Sequence, residues 1–141
     1  MLVENLQTFL ANSATITALL GTPATRSDSL NGLFYEQAPD VSGLAMPYVV
    51  YEQADGSALD ETMAGTGLLR TAHWTFECFG STAKQAKKLA MALKTALLPN
   101  NSVLTTQGIW LRREADDTVQ MAKGVLFTTK LTFLVLFTES V

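Results

Sequence analysis

The stretch that decides the fold is Leu68 to Gly80, LLRTAHWTFECFG, followed at once by Ser81 to Leu98, STAKQAKKLAMALKTALL. In the first part Ala72, Trp74, Phe76 and Cys78 alternate with Thr71, His73, Thr75 and Glu77, the two-residue period of a strand with one face inward. In the second, Ala86, Leu89, Ala90, Leu93 and Leu97 recur at helical spacing, with Lys84, Lys87, Lys88 and Lys94 elsewhere on the cylinder and a capping box over Thr82 to Gln85. A strand with one apolar face running straight into an amphipathic helix predicts a sheet with a helix packed upon it.

The rest of the chain extends this unit in both directions. Upstream, Leu2, Leu6, Phe9 and Leu10 form one helical stripe, and Ile16, Leu19 and Leu20 a second short one, begun by Ser13 as cap and stopped by Gly21 and Pro23. Residues 1–21 therefore read as an N-terminal helical arm. Leu33 to Gln37 reads as a short strand, and Pro47 to Gln53, with both faces at least half apolar, as a central one. Asp55 to Gly67 has three acids, three glycines and no alternation, and is expected to be a mobile loop. Downstream, Gln107 to Glu114 reads as a strand, Ala115 to Lys123 as a polar connection and Gly124 to Phe137 as the last strand. Its far end, with Leu134 and Leu136 opposite Val135 and Phe137, is apolar on both faces. The expected order is α-α-β-β-β-α-β-β: an α+β domain with a mostly antiparallel sheet of about five strands and its helices on one face.

Composition bounds the function. At 141 residues, 1–141 has room for a single domain. The net charge of -3 argues against a broad phosphate-binding surface. Cys78 stands alone, which excludes an intrachain disulfide and a multi-thiolate zinc site and suits a reducing compartment. The start, MLVENLQ, lacks the features of a secretory signal, and the apolar stretch Leu131 to Phe137 is far short of a membrane-spanning helix, so a cytosolic protein is expected.

Each candidate for chemistry has a simpler structural reading. Ser81 and Lys84 spell S-x-x-K, but Ser27-Asp28-Ser29 sits in a loop and Lys94-Thr95-Ala96 inside a helix, so the companion motifs are missing and a helix-start hydroxyl explains Ser81. Gly65-Thr66-Gly67 opens a strand where a dinucleotide fingerprint opens a helix. His73 and Glu77 are one imidazole and one carboxylate, too few for a metal, and Cys78 alternates with core aromatics. Asp55, Asp60 and Glu61 fit no calcium-loop spacing. The helix lysines lack interleaved aromatics for stacking bases and read as a solvated face. No catalytic, cofactor or metal residue is assigned.

The pattern as a whole resembles the tail terminator, or tail completion, proteins of long-tailed bacteriophages and prophages. The likeness rests on the arm ending in Ile16-Thr17-Ala18-Leu19-Leu20-Gly21, on Leu33 to Pro39 leading to Met46-Pro47-Tyr48-Val49-Val50-Tyr51, and on Trp74 to Phe79 running into the Ala- and Lys-rich helix. The resemblance implies a non-enzymatic virion protein that forms a ring, a hexamer, capping the tail tube and offering the head a docking surface. Its implied partners are further copies of itself, the tail tube protein and the head-tail connector or neck proteins, with DNA passing through the lumen without specific binding and no membrane. Its implied location is the virion neck, with the host cytoplasm during assembly. Expected contact residues are Asp55, Asp60, Glu61, Met63, Leu134, Leu136 and Phe137. The competing readings are another phage neck or connector protein, which could share these packing patterns, and, from a different class, a small-ligand-binding or enzymatic α+β domain using Thr71, His73, Thr75 and Glu77 to line a pocket.

Overall fold

The computed structural model describes residues 2–38, 44–53, 58–61, 67–98, 104–105, 109–116, 120–122 and 126–140. The elements run α1 (Leu2–Ala11), α2 (Ala14–Leu20), β1 (Leu33–Tyr35), β2 (Tyr48–Gln53), β3 (Ala58–Glu61), β4 (Gly67–Gly80), α3 (Ala83–Leu97), β5 (Ile109–Asp116), β6 (Gln120–Ala122) and β7 (Leu126–Ser140). The main sheet path is β1-β2-β4-β7-β5, in which only β1 and β2 run parallel. Five principal strands and three helices thus occur in the expected α-α-β-β-β-α-β-β order, and the class is α+β.

Two long strands organise everything else. β4 and β7 pair from Gly67↔Ser140 to Gly80↔Phe127. Each shares its outer edge between two shorter strands. β2 covers Trp74–Phe79 of β4 and β3 covers Leu68–Thr71, while β5 covers Leu131–Phe137 of β7 and β6 covers Leu126–Thr128. β3 corrects the expectation of an unstructured loop over 55–67: four of those residues form a strand, and Gly67 opens β4. The physical reason is that β4 outruns β2, so its remaining backbone N–H and C=O groups call for a partner, and pairing them needs no apolar alternation. β6 likewise lies within the stretch read as a polar connection.

One face of the sheet meets the helices. Ala72, Trp74, Phe76 and Cys78 on β4 join Val49 and Tyr51 on β2, Leu131, Phe133, Val135 and Phe137 on β7, and Ile109 and Leu111 on β5 in a single core with Leu6, Leu10, Ile16, Leu20, Leu89, Leu93 and Leu97. Aromatic rings interlock at its centre. Tyr51 stacks on Phe76 at 5.6 Å, and Phe76 meets Phe133 edge-on at 5.5 Å. Burial pushes the Tyr51 phenol up to about 12, and its hydroxyl donates to Gln7 Oε1 on α1, so the arm is tied to the sheet by a polar as well as an apolar contact.

The start of α3 is set locally. Thr82 Oγ1 accepts from Gln85 N at 3.1 Å, and Gln85 Oε1 accepts from Ser81 N at 2.8 Å, one residue before the cap. Gly80 permits the sharp entry, because a Cβ there would stand 2.8 Å from Ala86 N. Ser13 departs from expectation: it occupies the α2 cap position, but its side chain makes no capping bond.

Candidate functional site

The described residues with chemical potential lie on β3, on β4 and at the start of α3. The Ser81 hydroxyl donates to Gln85 Oε1 at 3.0 Å, and Lys84 is exposed on α3. Cys78 is fully buried; burial first and the Glu77 charge second push its thiol well up, so it remains protonated. His73 and Glu77 lie half-buried on the sheet face away from the helices, where Glu77 is in register with Lys130 and His73 with Leu134. Among the described residues, no group of three His, Cys, Asp or Glu side chains could hold a metal ion. Asp55, Met63, Gly65 and Thr66 lie outside the described residues; Asp60 and Glu61 are on β3, in register with Leu69 and Leu68.

A buried polar cluster was invisible in the sequence. The Arg26 side chain donates from Nη1 to Leu20 O at 2.8 Å and Pro47 O at 2.6 Å, and from Nη2 to Ala45 O at 2.7 Å. It also forms a two-pronged ion pair with Asp28, at 3.1 and 2.8 Å. Asp28 in turn accepts from Leu30 N and Ala45 N, and the Arg26 guanidinium holds its carboxyl well below the usual carboxylate range. Gly32, at φ 77, brings its backbone against this group: a Cβ there would stand 2.8 Å from Arg26 Nη1. The cluster ties the end of α2 to the approach to β2. It is structural, and an Arg-x-Asp in a polar run carries no periodic signal.

Two surfaces remain. The first is the sheet face opposite the helices, which carries Tyr48, Phe79 and Val50 near one end and Leu134, Leu136 and Trp110 near the other, with Thr75↔Thr132 and Glu77↔Lys130 between them. Leu134 and Leu136 lie half-buried there, whereas Phe137, expected to join them at a contact, is 6% exposed on the helix side within the subunit's own core. Strand alternation separates the three. The second surface is the outer side of α3, where Lys84, Lys87, Lys88, Met91 and Thr95 are exposed in one stripe, Met91 at 55%. No helix among the described residues is long and apolar enough to cross a membrane.

No protein-family model and no curated protein matches the sequence. Among solved structures, a chain from the "Virion of native gene transfer agent (GTA) particle" superposes with a TM-score of 0.66 at 20% identity, over 95% of this chain and 92% of that one. The two chains share a fold. The match runs almost end to end in both. The virion chain is thus a counterpart of the whole domain rather than of one motif within it.

Proposed function

We propose that this chain is a non-enzymatic structural protein of a phage-like virion, which assembles into a ring, a hexamer, that caps the tail tube and presents the surface on which the head docks. The observation carrying the reading is the near end-to-end likeness to a chain of a gene transfer agent virion. The sequence patterns of the arm, the aromatic strand and the lysine-rich helix support the finer assignment to a tail terminator. Further copies of the chain, the tail tube protein and the connector or neck proteins are its partners, and DNA passes through the lumen without specific contacts. The half-buried apolar residues of the open sheet face, Leu134 and Leu136 among them, and the acidic residues Asp60 and Glu61 of β3 are contact candidates. Asp55 and Met63 belong to the same candidate segment.

The test is assembly. Light scattering over rising concentration, with negative-stain microscopy of the protein alone and mixed with isolated tail tubes, should show rings or capped tube ends. A strict monomer that also leaves tubes uncapped would overturn the reading.

A further inference from the structure

Charge is divided between the two halves of this chain. Residues 1–69 hold one basic residue against eight acidic ones, a formal charge of -7, and residues 70–141 hold nine against five, a formal charge of +4. Among the described residues two large apolar side chains stand exposed, Tyr35 at 41% and Met91 at 55%, and each is set among charges of one sign. Tyr and Met are both enriched in protein contacts, where apolar anchors sit inside a polar rim.

Tyr35 ends β1, the strand at one edge of the sheet. Its ring stacks on Trp74 at 6.0 Å and tilts against Tyr51 at 5.7 Å, which holds it in place. Burial first, then Glu36 and Glu52, raise the Tyr35 phenol above its ordinary value; burial first, then Tyr35 and Glu4, do the same for Tyr51. Three carboxylates therefore surround this pair of hydroxyls: Glu4 on α1, one turn before the Gln7 that accepts from Tyr51, Glu36 just past β1, and Glu52, which alternates to the open side of β2 at the same edge. All three are exposed, and none forms an ion pair with another described residue. No cation interrupts them. Arg26 is buried against Asp28, Arg70 lies four residues along β4 from Trp74, or about 13 Å, Lys130 is in register with Glu77, and Arg112 is on β5 at the opposite edge. On α3 the exposed positions Lys84, Lys87, Lys88 and Met91 follow i, i+3, i+4, i+7 spacing along about 10 Å of the outer face. Neither α3 nor the adjoining α2 carries an acid, and these three lysines form no ion pair with a described residue.

From this complementarity we infer that the Lys84–Met91 stripe of α3 docks on the Tyr35 edge of a second copy of this chain, head to tail, with Met91 against the Tyr35 ring and the lysines over Glu4, Glu36 and Glu52. The inference rests on the ring reading and names the two halves of its repeating contact. A contact between unlike surfaces of identical subunits is the kind that closes into a ring. The thioether and the aromatic ring supply its apolar centre, and the opposed charges set its direction.

Charge exchange tests it. In one variant Lys84, Lys87 and Lys88 are each replaced by Glu; in another Glu4→Lys and Glu36→Lys are combined, with Glu52→Lys in their place if circular dichroism shows that they disturb the fold. Each variant alone should lose at least about tenfold in self-association by light scattering, while their equimolar mixture, in which contacts again pair opposite charges, should recover to within about threefold of the wild type. Met91→Ser should weaken association at least about threefold with little change in denaturant midpoint, because the side chain is already exposed. If the wild type associates and the reversals leave it unchanged, or the mixture fails to recover, the ring reading stands and this contact is wrong. If the wild type stays monomeric with and without tail tubes, both fall. Loss of duplex DNA binding in the α3 variant, with self-association intact, would make nucleic acid the partner and overturn the proposal.

Discussion

Arg26 and Asp28 are each nearly excluded from solvent, with side chains 3% and 2% exposed, so neither charge tolerates loss of the other. Arg26→Ala would strand the Asp28 carboxylate and leave the Leu20, Ala45 and Pro47 carbonyls without their donor; urea denaturation should register a loss of about 3 kcal/mol or more. The pair also makes stability depend on pH. Because the folded-state pKa of Asp28 is lowered from 3.8, its contribution is fully present above about pH 5 and is lost as pH falls through and below 3.8 toward the folded value. Asp28→Asn should therefore be less stable than the wild type at pH 7, with the gap narrowing toward pH 3. Trp74 poses the opposite problem. Its ring is 1% exposed in the core but Nε1 has no hydrogen-bond partner among the described residues. Trp74→Ala should cost about 3 to 5 kcal/mol through the cavity it leaves, while Trp74→Phe should cost clearly less because it removes the unsatisfied donor along with some volume. A change under about 1 kcal/mol for the alanine variant would contradict the core placement.

β7 shows how one element serves two environments. Phe137 packs with Ile109 under the helices, while its neighbour Leu136 lies half-buried on the other face, in register with Thr71 and Trp110. Phe137→Ala should cost about 3 to 5 kcal/mol. Leu136→Ser should cost less than half of that in denaturant midpoint, and a larger effect on association than on folding would mark the open face as a subunit contact. At the start of α3, Thr82→Ala should cost about 1 kcal/mol by freeing Gln85 N. The elements most legible in the sequence were those whose burial is one-sided: β4 and α3 announced their inward faces through periods of two and of 3.6. β3 and β6 had no such signal, because what holds them is backbone pairing to the overhanging ends of β4 and β7.

For the whole molecule, the ring proposed above predicts self-association that light scattering detects and microscopy resolves as rings; a strict monomer would contradict it. The sequence by itself determined the α+β class, the order of the principal elements and the inward faces of β4 and α3, since each follows from local periodicity and local stop signals. The resemblance to tail terminator proteins rested on the same kind of signal, a pattern of packing residues spread along the chain, and of it the comparison with a virion chain shows the shared fold. Only the tertiary structure decided which strands adjoin, that Phe137 belongs to the core while Leu134 and Leu136 face away from it, and that Arg26 joins the end of α2 to the approach to β2. Those facts depend on groups brought together from distant positions, such as Arg26 and Pro47 or Leu68 and Glu139. Local propensity has no access to pairings across such separations; the pairing of strands into the sheet and the burial of polar groups select them.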